Sequence, residues 1–212
     1  MIAGISFGRG VFFHNRKVLA CAEVKRGVIH VWAEPITFRT LWKMWMRILF
    51  SIPWYYQLFH LLLLAGIWWY DFNPLWLVVY GAGFHFVFPK QLKQFHGAEH
   101  KVFSYSGEKN MEALLEIQQA SIVNAGCSTN YVTYFFVSCL LTCWFHSLVL
   151  TVGIGILSML AGMIGEKYAR RYMKPLFALS GWLQQYVTTK EPDRIHLETA
   201  IRSYRLFQHY QT

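Results

Sequence analysis

Charged residues are scarce in this chain of 212 residues, and they are distributed unevenly. Asp, Glu, Lys and Arg make up 15% of the sequence, whereas hydrophobic residues make up 55% and aromatic residues 18%. Residues 131–165 contain no charged side chain at all. A water-soluble domain carries more charge on its surface, so this composition is typical of an integral membrane protein.

Several sequence signals are also absent. The chain has no glycine-rich phosphate loop and no Gly-x-Ser-x-Gly elbow, which argues against the simplest nucleotide-binding and serine-hydrolase functions. Residues 1–35 are too polar for a cleavable signal peptide, because Arg9, Arg16 and Lys17 stand where an apolar core is needed. We therefore expect no cleaved leader.

Four apolar segments predict about four transmembrane helices, in residues 49–70, 75–88, 131–147 and 150–168. The last two segments form one uncharged stretch, which could also be a single long tilted helix. At a rise of about 1.5 Å per residue that helix would be too long for an ordinary span, so we favour a tight hairpin that turns near residues 148–151. The predicted fold is mainly α, a polytopic membrane protein.

The basic residues predict how these helices are oriented. All 20 Lys and Arg lie before the first segment, between the second and third, or from Lys167 at the end of the fourth segment onward, and the links at residues 71–74 and 148–151 contain none. The positive-inside rule then places both termini and the central loop in the cytoplasm. The net charge of +9 also favours a bilayer with anionic head groups. We predict no nucleic-acid partner, because no basic run is interleaved with exposed aromatic residues in a soluble fold.

These signals divide the chain into five segments. Residues 1–36 alternate as β-strands do and predict a cytoplasmic meander of two or three strands, which needs another part of the chain to pack on. Residues 37–89 predict an interfacial helix and the first two transmembrane helices. Residues 90–130 predict a cytoplasmic helical hairpin, residues 131–170 the other two transmembrane helices, and residues 171–212 cytoplasmic amphipathic helices. The last helix would carry one apolar face of Leu197, Ala200, Ile201, Tyr204 and Phe207.

Two imidazoles and a carboxylate lie within five positions, at His96, Glu99 and His100. In a helix, His96 and His100 are four residues apart and leave the same face, about 6 Å from each other. Such a pair suits a zinc-type ion, and His-x-x-Glu-His is the inverted zinc-protease motif, in which the glutamate is the base. Gly97 lowers the helix propensity by about 1 kcal/mol relative to Ala. Alternatively, the three side chains form a polar hydrogen-bonded cluster that fixes the loop without a metal.

Three separated blocks of the sequence resemble the YqhQ-like family of bacterial membrane proteins, which are described as predicted metal-dependent enzymes. The blocks are residues 94–101, residues 162–166, and residues 181–184 together with 188–192. The resemblance implies a location in the bacterial cytoplasmic (inner) membrane and a zinc site formed by His96, His100 and Cys127. Glu166 and Glu191, which lie in the matched blocks, are further candidates.

The chain also departs from that family. The family usually reads His-Pro-Arg-Cys-Gly-Thr where residues 124–129 read Asn-Ala-Gly-Cys-Ser-Thr, so the cysteine is retained and the histidine and arginine are not. Arg9 stands where the family has a glutamate. These replacements weaken the prediction of catalysis more than that of metal binding. Because Cys21 and Cys127 would be cytoplasmic and the other two cysteines lie within a span, we expect no structural disulfide.

Two functions are consistent with these residues. In the first, the protein is a metal-dependent, hydrolase-like enzyme at the cytoplasmic membrane surface. His96, His100 and Cys127 hold the ion and leave its fourth position open, Glu99 is the general base, and the substrate is a lipid head group, a lipid-linked sugar or a membrane peptide. In the second, it is a non-catalytic scaffold or assembly factor. Its partner would then be a membrane protein, a component of translation or translocation, or a second copy of the chain.

Overall fold

The computed structural model describes residues 2–69, 73, 75–145 and 147–211. Strands β1 to β4 are Ala3–Phe7, Gly10–His14, Val18–Lys25 and Val28–Pro35. The α-helices, α1 to α9 in chain order, are Phe38–Ser51, Trp54–Trp69, Leu75–Gly83, Lys90–Ser104, Leu114–Gln119, Thr129–Thr142, Leu148–Tyr168, Lys174–Leu183 and Arg194–His209. Short 3₁₀ segments occupy Phe84–Val87 and Cys143–Phe145, and a π-helical turn occupies Gln184–Thr188.

The chain divides into two compact units. The first, here called the sheet unit, comprises Met1–Gln57, Phe88–Asn124 and Thr188–Thr212. The second, here called the helical unit, comprises Leu58–Val87 and Ala125–Val187.

The sheet unit is built on an antiparallel meander with the strand order β1-β2-β3-β4. It therefore has four strands rather than the two or three that the sequence predicted. Between β3 and β4, Arg26 and Gly27 form a two-residue turn, and both have positive φ, at 51° and 78°. Such turns match the right-handed twist of the paired strands and so fix their register.

Successive side chains of the sheet point to opposite faces, and each face buries its own cluster. Val11, Phe13 and Ala20 pack in one cluster with residues of α4, α5 and α9. Phe12, Leu19 and Cys21 pack on the other face with Met44 of α1. The meander thus gains the helical packing that we expected it to need. The predicted apolar face of α9 is confirmed, because its five members are all buried: Leu197, Ala200, Ile201, Tyr204 and Phe207.

Helix α4 covers the segment predicted to be helical, but the second helix of the predicted hairpin is much shorter than expected. It is α5, of six residues, which ends at Gln119. The buried ammonium group of Lys101 donates to the carbonyl oxygens of Gln118 and Ala120, at 2.7 and 3.0 Å. Lys101 therefore satisfies carbonyl groups at the end of α5 that a longer helix would have bonded internally.

The prediction of a polytopic protein with four transmembrane helices is wrong. Among the described residues, only α7, with 21 residues, is by itself long and apolar enough to cross a membrane. Helices α2, α3 and α6 have 16, 9 and 14 residues. At about 1.5 Å per residue these lengths fall short of a hydrocarbon core about 30 Å thick. Helices α1 and α2 pass the same test only as a pair, bent by 92° at their break.

Hydropathy misplaced the helix ends for local reasons. Pro53 separates α1 from α2, and Ile52 before it adopts the extended backbone that a following proline favours. The second and third apolar segments end in 3₁₀ turns rather than continuing as α-helix. The predicted link at residues 71–74 lies outside the described residues except for Asn73. Neither a multi-pass topology nor a cytoplasmic placement of the termini is supported.

Within the helical unit, the uncharged stretch folds back on itself as two packed helices, α6 and α7. Helix α6 ends at Thr142 and α7 begins at Leu148, so the reversal comes slightly before the predicted position. Ser147 caps α7 by accepting a hydrogen bond from the Leu150 N–H at 3.3 Å. A Cβ on Gly162 would lie 2.1 Å from the Tyr134 ring, so the glycine permits this close approach of the two helices.

Candidate metal centre

Helix α4 places His96 and His100 on one face with their ring centroids 4.3 Å apart. Nδ1 of His96 lies 3.1 Å from the carbonyl oxygen of Thr188, and Nδ1 of His100 lies 2.7 Å from that of Ile122. A carbonyl oxygen can only accept a hydrogen bond, so both Nδ1 atoms carry the proton. In the neutral rings, Nε2 is then the nitrogen with the lone pair, and that is the atom that could bind a metal.

His100 supplies the strongest indication of a ligand. Its side chain is 0% exposed, and its Nε2 is buried without a hydrogen-bond partner in the described part of the chain. Leaving a buried acceptor unsatisfied costs about 1–3 kcal/mol, so such an atom in a native fold requires an explanation. Metal-binding histidines characteristically donate their other ring N–H to a carbonyl or carboxylate, as both histidines do here.

The backbone of residues 188–190, whose Thr188 carbonyl orients His96, crosses α4 at Gly97. The Lys190 N–H donates to the Lys93 carbonyl at 2.9 Å, and a Cβ on Gly97 would lie 2.3 Å from the Lys190 carbonyl oxygen. No side chain fits at this position, which explains a glycine in the middle of a helix despite its low propensity. The same crossing brings the Thr188 carbonyl to His96.

Cys127, the third predicted ligand, belongs to the helical unit. Its side chain is 8% exposed, its sulfur accepts the Thr129 N–H at 3.4 Å, and it lies 3.1 Å from the Thr129 hydroxyl. His96 and His100 lie together in the sheet unit and could hold a metal ion, and Cys127 stays their predicted third partner. Two imidazole nitrogens and one thiolate form a donor set that suits zinc, although they do not by themselves identify the metal.

Glu99 lies beside His96, and its carboxylate packs against β1. The side chain is 6% exposed and accepts a hydrogen bond from the Ser6 hydroxyl. A Cβ on Gly4 would lie 2.4 Å from Glu99 Oε1, so a glycine in the strand provides the space for the carboxylate. Burial raises the pKa of Glu99, whereas its electrostatic interaction with His96 and the Ser6 hydrogen bond lower it by smaller amounts. Its role as a general base stays a prediction.

Residues 75–209, more than half of the chain, match the family described as "Protein of unknown function (DUF1385)". The chain belongs to this family. The match is consistent with the resemblance to YqhQ-like proteins but does not establish that name. No curated protein and no solved structure matches the chain. The family region contains His96, His100 and Cys127, whereas β1, which carries Gly4 and Ser6, precedes it.

The two further candidates are engaged in other contacts. Glu166 accepts hydrogen bonds from the hydroxyl groups of Tyr131 and Tyr134, at 3.1 and 3.0 Å. Glu191 is 72% exposed and forms an ion pair with the buried Lys101 at 3.2 Å. Neither belongs to the group of potential metal ligands found among the described residues. Their roles at the site stay predictions.

Sequence reasoning did not identify four residues that shape the centre. Thr188 and Ile122 contribute only backbone carbonyls, which any residue type could supply, so no sequence signal reveals them. Gly4 and Ser6 had one usable signal. A glycine within a strand often marks a place where another part of the protein approaches closely, and Glu99 occupies that place here.

Proposed function

We propose that this protein is a membrane-associated metalloenzyme with a zinc-type centre and hydrolase-like chemistry on a membrane-associated substrate. One observation carries the proposal: His96 and His100 both donate Nδ1–H to backbone carbonyls, and Nε2 of His100 is buried without a partner in the described chain. This is how proteins orient imidazoles for a metal. The resemblance of residues 124–129 to the YqhQ-like family, in which the cysteine is retained, supports Cys127 as a third ligand.

Three protein ligands favour catalysis over a purely structural site, because structural zinc sites usually have four. When bound, such an ion would supply a Lewis acid that polarises a carbonyl or phosphoryl oxygen of the substrate. Glu99 lies three residues after His96 on the same helix, and Ser6 holds its carboxylate in one orientation. We assign to Glu99 the role of general base.

The exposed surface of α7 supports an association with the membrane. Val149, Leu157 and Ile164 are 85%, 66% and 61% exposed. A contiguous apolar surface of this kind is unfavourable in water, whereas a bilayer would cover it, and the helix is long enough to cross one. We propose the bacterial cytoplasmic membrane as the location and α7 as the anchoring helix.

A cobalt-substitution experiment tests whether the centre has an open position. Co²⁺ replaces Zn²⁺ in the detergent-purified full chain, and azide is then titrated while the visible spectrum is recorded. An open position predicts a saturable spectral change, because azide can become the fourth ligand. Glu99→Gln should retain both the metal and the azide response. The exposed His30 provides a matched control, since His30→Ala should leave both unchanged.

The second candidate is a metal-stabilised scaffold without catalysis. It is favoured by the number of side chains near the histidines that already have structural contacts: Glu99 with Ser6, Lys101 with Glu191, and Gln94 with Asp193 at 3.0 Å. A scaffold site would have a closed coordination shell. Stoichiometric cobalt that shows no response to azide would therefore contradict the enzyme and favour the scaffold.

A further inference from the structure

The sheet unit contains a second candidate site, between β3 and α1. Here a cavity of about 390 Å³ is lined by four cationic side chains, Arg9, Lys25, Lys43 and Arg47. Its size falls within the range of small-molecule sites. None of the residues proposed as metal ligands lines this cavity.

The cavity has a surplus of positive charge. Glu23, which is 1% exposed, pairs with both Arg47 and Lys25, the latter at 2.9 Å. Lys43 pairs with Glu34 at 2.7 Å. The four lining cations thus have two carboxylate partners, of which only Glu23 lines the cavity, so a net charge of about +2 remains, and Arg9 forms no ion pair with any described carboxylate. A phosphate group would complement this surplus.

Part of the cavity wall is apolar. Trp42, Met46 and Phe50 follow one another at intervals of four residues on α1 and line it beside the cations. Trp42 and Phe50 are 58% and 60% exposed, so the apolar wall continues onto the open surface of the helix. A free phosphate ion would leave this wall uncovered, whereas the hydrocarbon chains of a phospholipid would lie on it.

We propose that this cavity binds the phosphate group of an anionic phospholipid, with the acyl chains against Trp42, Met46 and Phe50. Lys25 and Arg47 remain bound to Glu23 and form the base of the site, and Arg9 supplies the unpaired charge at its rim. A phosphate monoester, as in phosphatidate, matches a surplus of two charges best. The proposal does not depend on the metal centre.

Isothermal titration of the full chain in neutral detergent micelles tests the proposal. The probes are dioctanoyl phosphatidate, dioctanoyl phosphatidylcholine and inorganic phosphate. We expect phosphatidate to bind, phosphatidylcholine to bind at least tenfold more weakly, and inorganic phosphate not to compete. Removal of one cation that faces an anionic lipid should weaken binding about fivefold, so Arg9→Gln should have that effect.

Arg39 offers a matched control. It lies on α1 one turn before Lys43 and is exposed like Arg9, but it does not line the cavity. Arg39→Gln should leave phosphatidate affinity unchanged, whereas the double variant Arg9→Gln/Lys43→Gln should weaken it about 25-fold if the two effects add. Circular dichroism will verify that each variant is folded.

Three results would overturn the proposal. Equal losses in Arg9→Gln and Arg39→Gln would mean that α1 attracts anions only through its general charge. Competition by inorganic phosphate at the affinity of phosphatidate would assign the cavity to a soluble anion and leave the apolar wall without a role. Failure of the folded wild-type protein to bind phosphatidate would exclude the site altogether.

Discussion

Replacement of Gly97 by alanine should destabilise α4, although the same change stabilises most helices. In an exposed helix, Gly→Ala is favourable by about 1 kcal/mol because alanine has the higher propensity. Here the new Cβ would lie 2.3 Å from the Lys190 carbonyl oxygen and 3.0 Å from Ile122 Cδ1. The first of these atoms belongs to the backbone, so no side-chain rotation can relieve the clash.

The expected magnitude follows from the atoms that must move. Overpacking of this kind costs about 2 kcal/mol, and loss of the hydrogen bond from Lys190 to Lys93 costs about 1 kcal/mol more. The propensity gain of about 1 kcal/mol offsets part of this cost, so the net loss is about 2 kcal/mol. Hydrogen exchange of the α4 amides should then become about 30-fold faster, because exchange follows the free energy of local opening.

Exchange measured by mass spectrometry on α4 peptides provides the assay, and Gly66→Ala is the control. Gly66 lies within α2, and a Cβ there would meet no atom of the described chain within 4 Å. Exchange in α2 should therefore be unchanged or slower in that variant. If Gly97→Ala also slowed exchange in α4, propensity would dominate and the close approach of Lys190 would be refuted.

Four further outcomes follow from other parts of the structure. The same Gly97→Ala variant should bind zinc about tenfold more weakly in a chelator competition, because it displaces the Thr188 carbonyl that orients His96. An unchanged zinc affinity would contradict that role of the carbonyl. Arg47→Met should lower the free energy of unfolding in urea by about 3 kcal/mol, because Glu23 is left buried with less charge compensation. Adding Glu23→Gln should recover part of that free energy. A loss below about 1 kcal/mol in Arg47→Met would contradict a stabilising role of the ion pair. Burial raises the pKa of Cys21 from 9.0 to about 12, so its protonated thiol favours the fold below pH 9 and this contribution is lost as pH rises toward 12. The wild-type protein should thus lose stability over that range more steeply than Cys21→Val, and parallel profiles would exclude the effect. Phe207→Ala should lower the free energy of unfolding by about 3–5 kcal/mol in the same assay, since the ring is fully buried. A negligible change in that free energy would contradict the packing of α9 on the sheet.

The features that could be predicted from the sequence depend on short-range periodicity. The apolar positions of α9 recur at helical spacing, and all five are buried as expected. The juxtaposition of His96 and His100 on one helix face follows from their separation by four residues, and their rings do lie side by side. Both outcomes require only that the segment is helical.

The features that could not be predicted depend on contacts between distant segments and on where helices end. Glu99 and Ser6 are 93 residues apart, and nothing local to either indicates that they meet. The low helix propensity of Gly97 is evident from the sequence, but the backbone of Lys190, which requires a glycine there, is 93 residues away along the chain. Hydropathy predicts four spans because it counts apolar residues, whereas Pro53 and the two 3₁₀ turns decide where the helices end.

X-ray absorption at the zinc edge of the purified full chain tests the central claim most directly. We predict one zinc per chain, with two nitrogen ligands at about 2.0–2.1 Å and one sulfur ligand at about 2.3 Å. The sulfur shell should disappear in Cys127→Ala, one nitrogen shell or the metal itself should be lost in His100→Ala, and His30→Ala should retain the full spectrum. A folded protein that contains no metal after zinc loading, or a zinc bound only by oxygen, would contradict the claim.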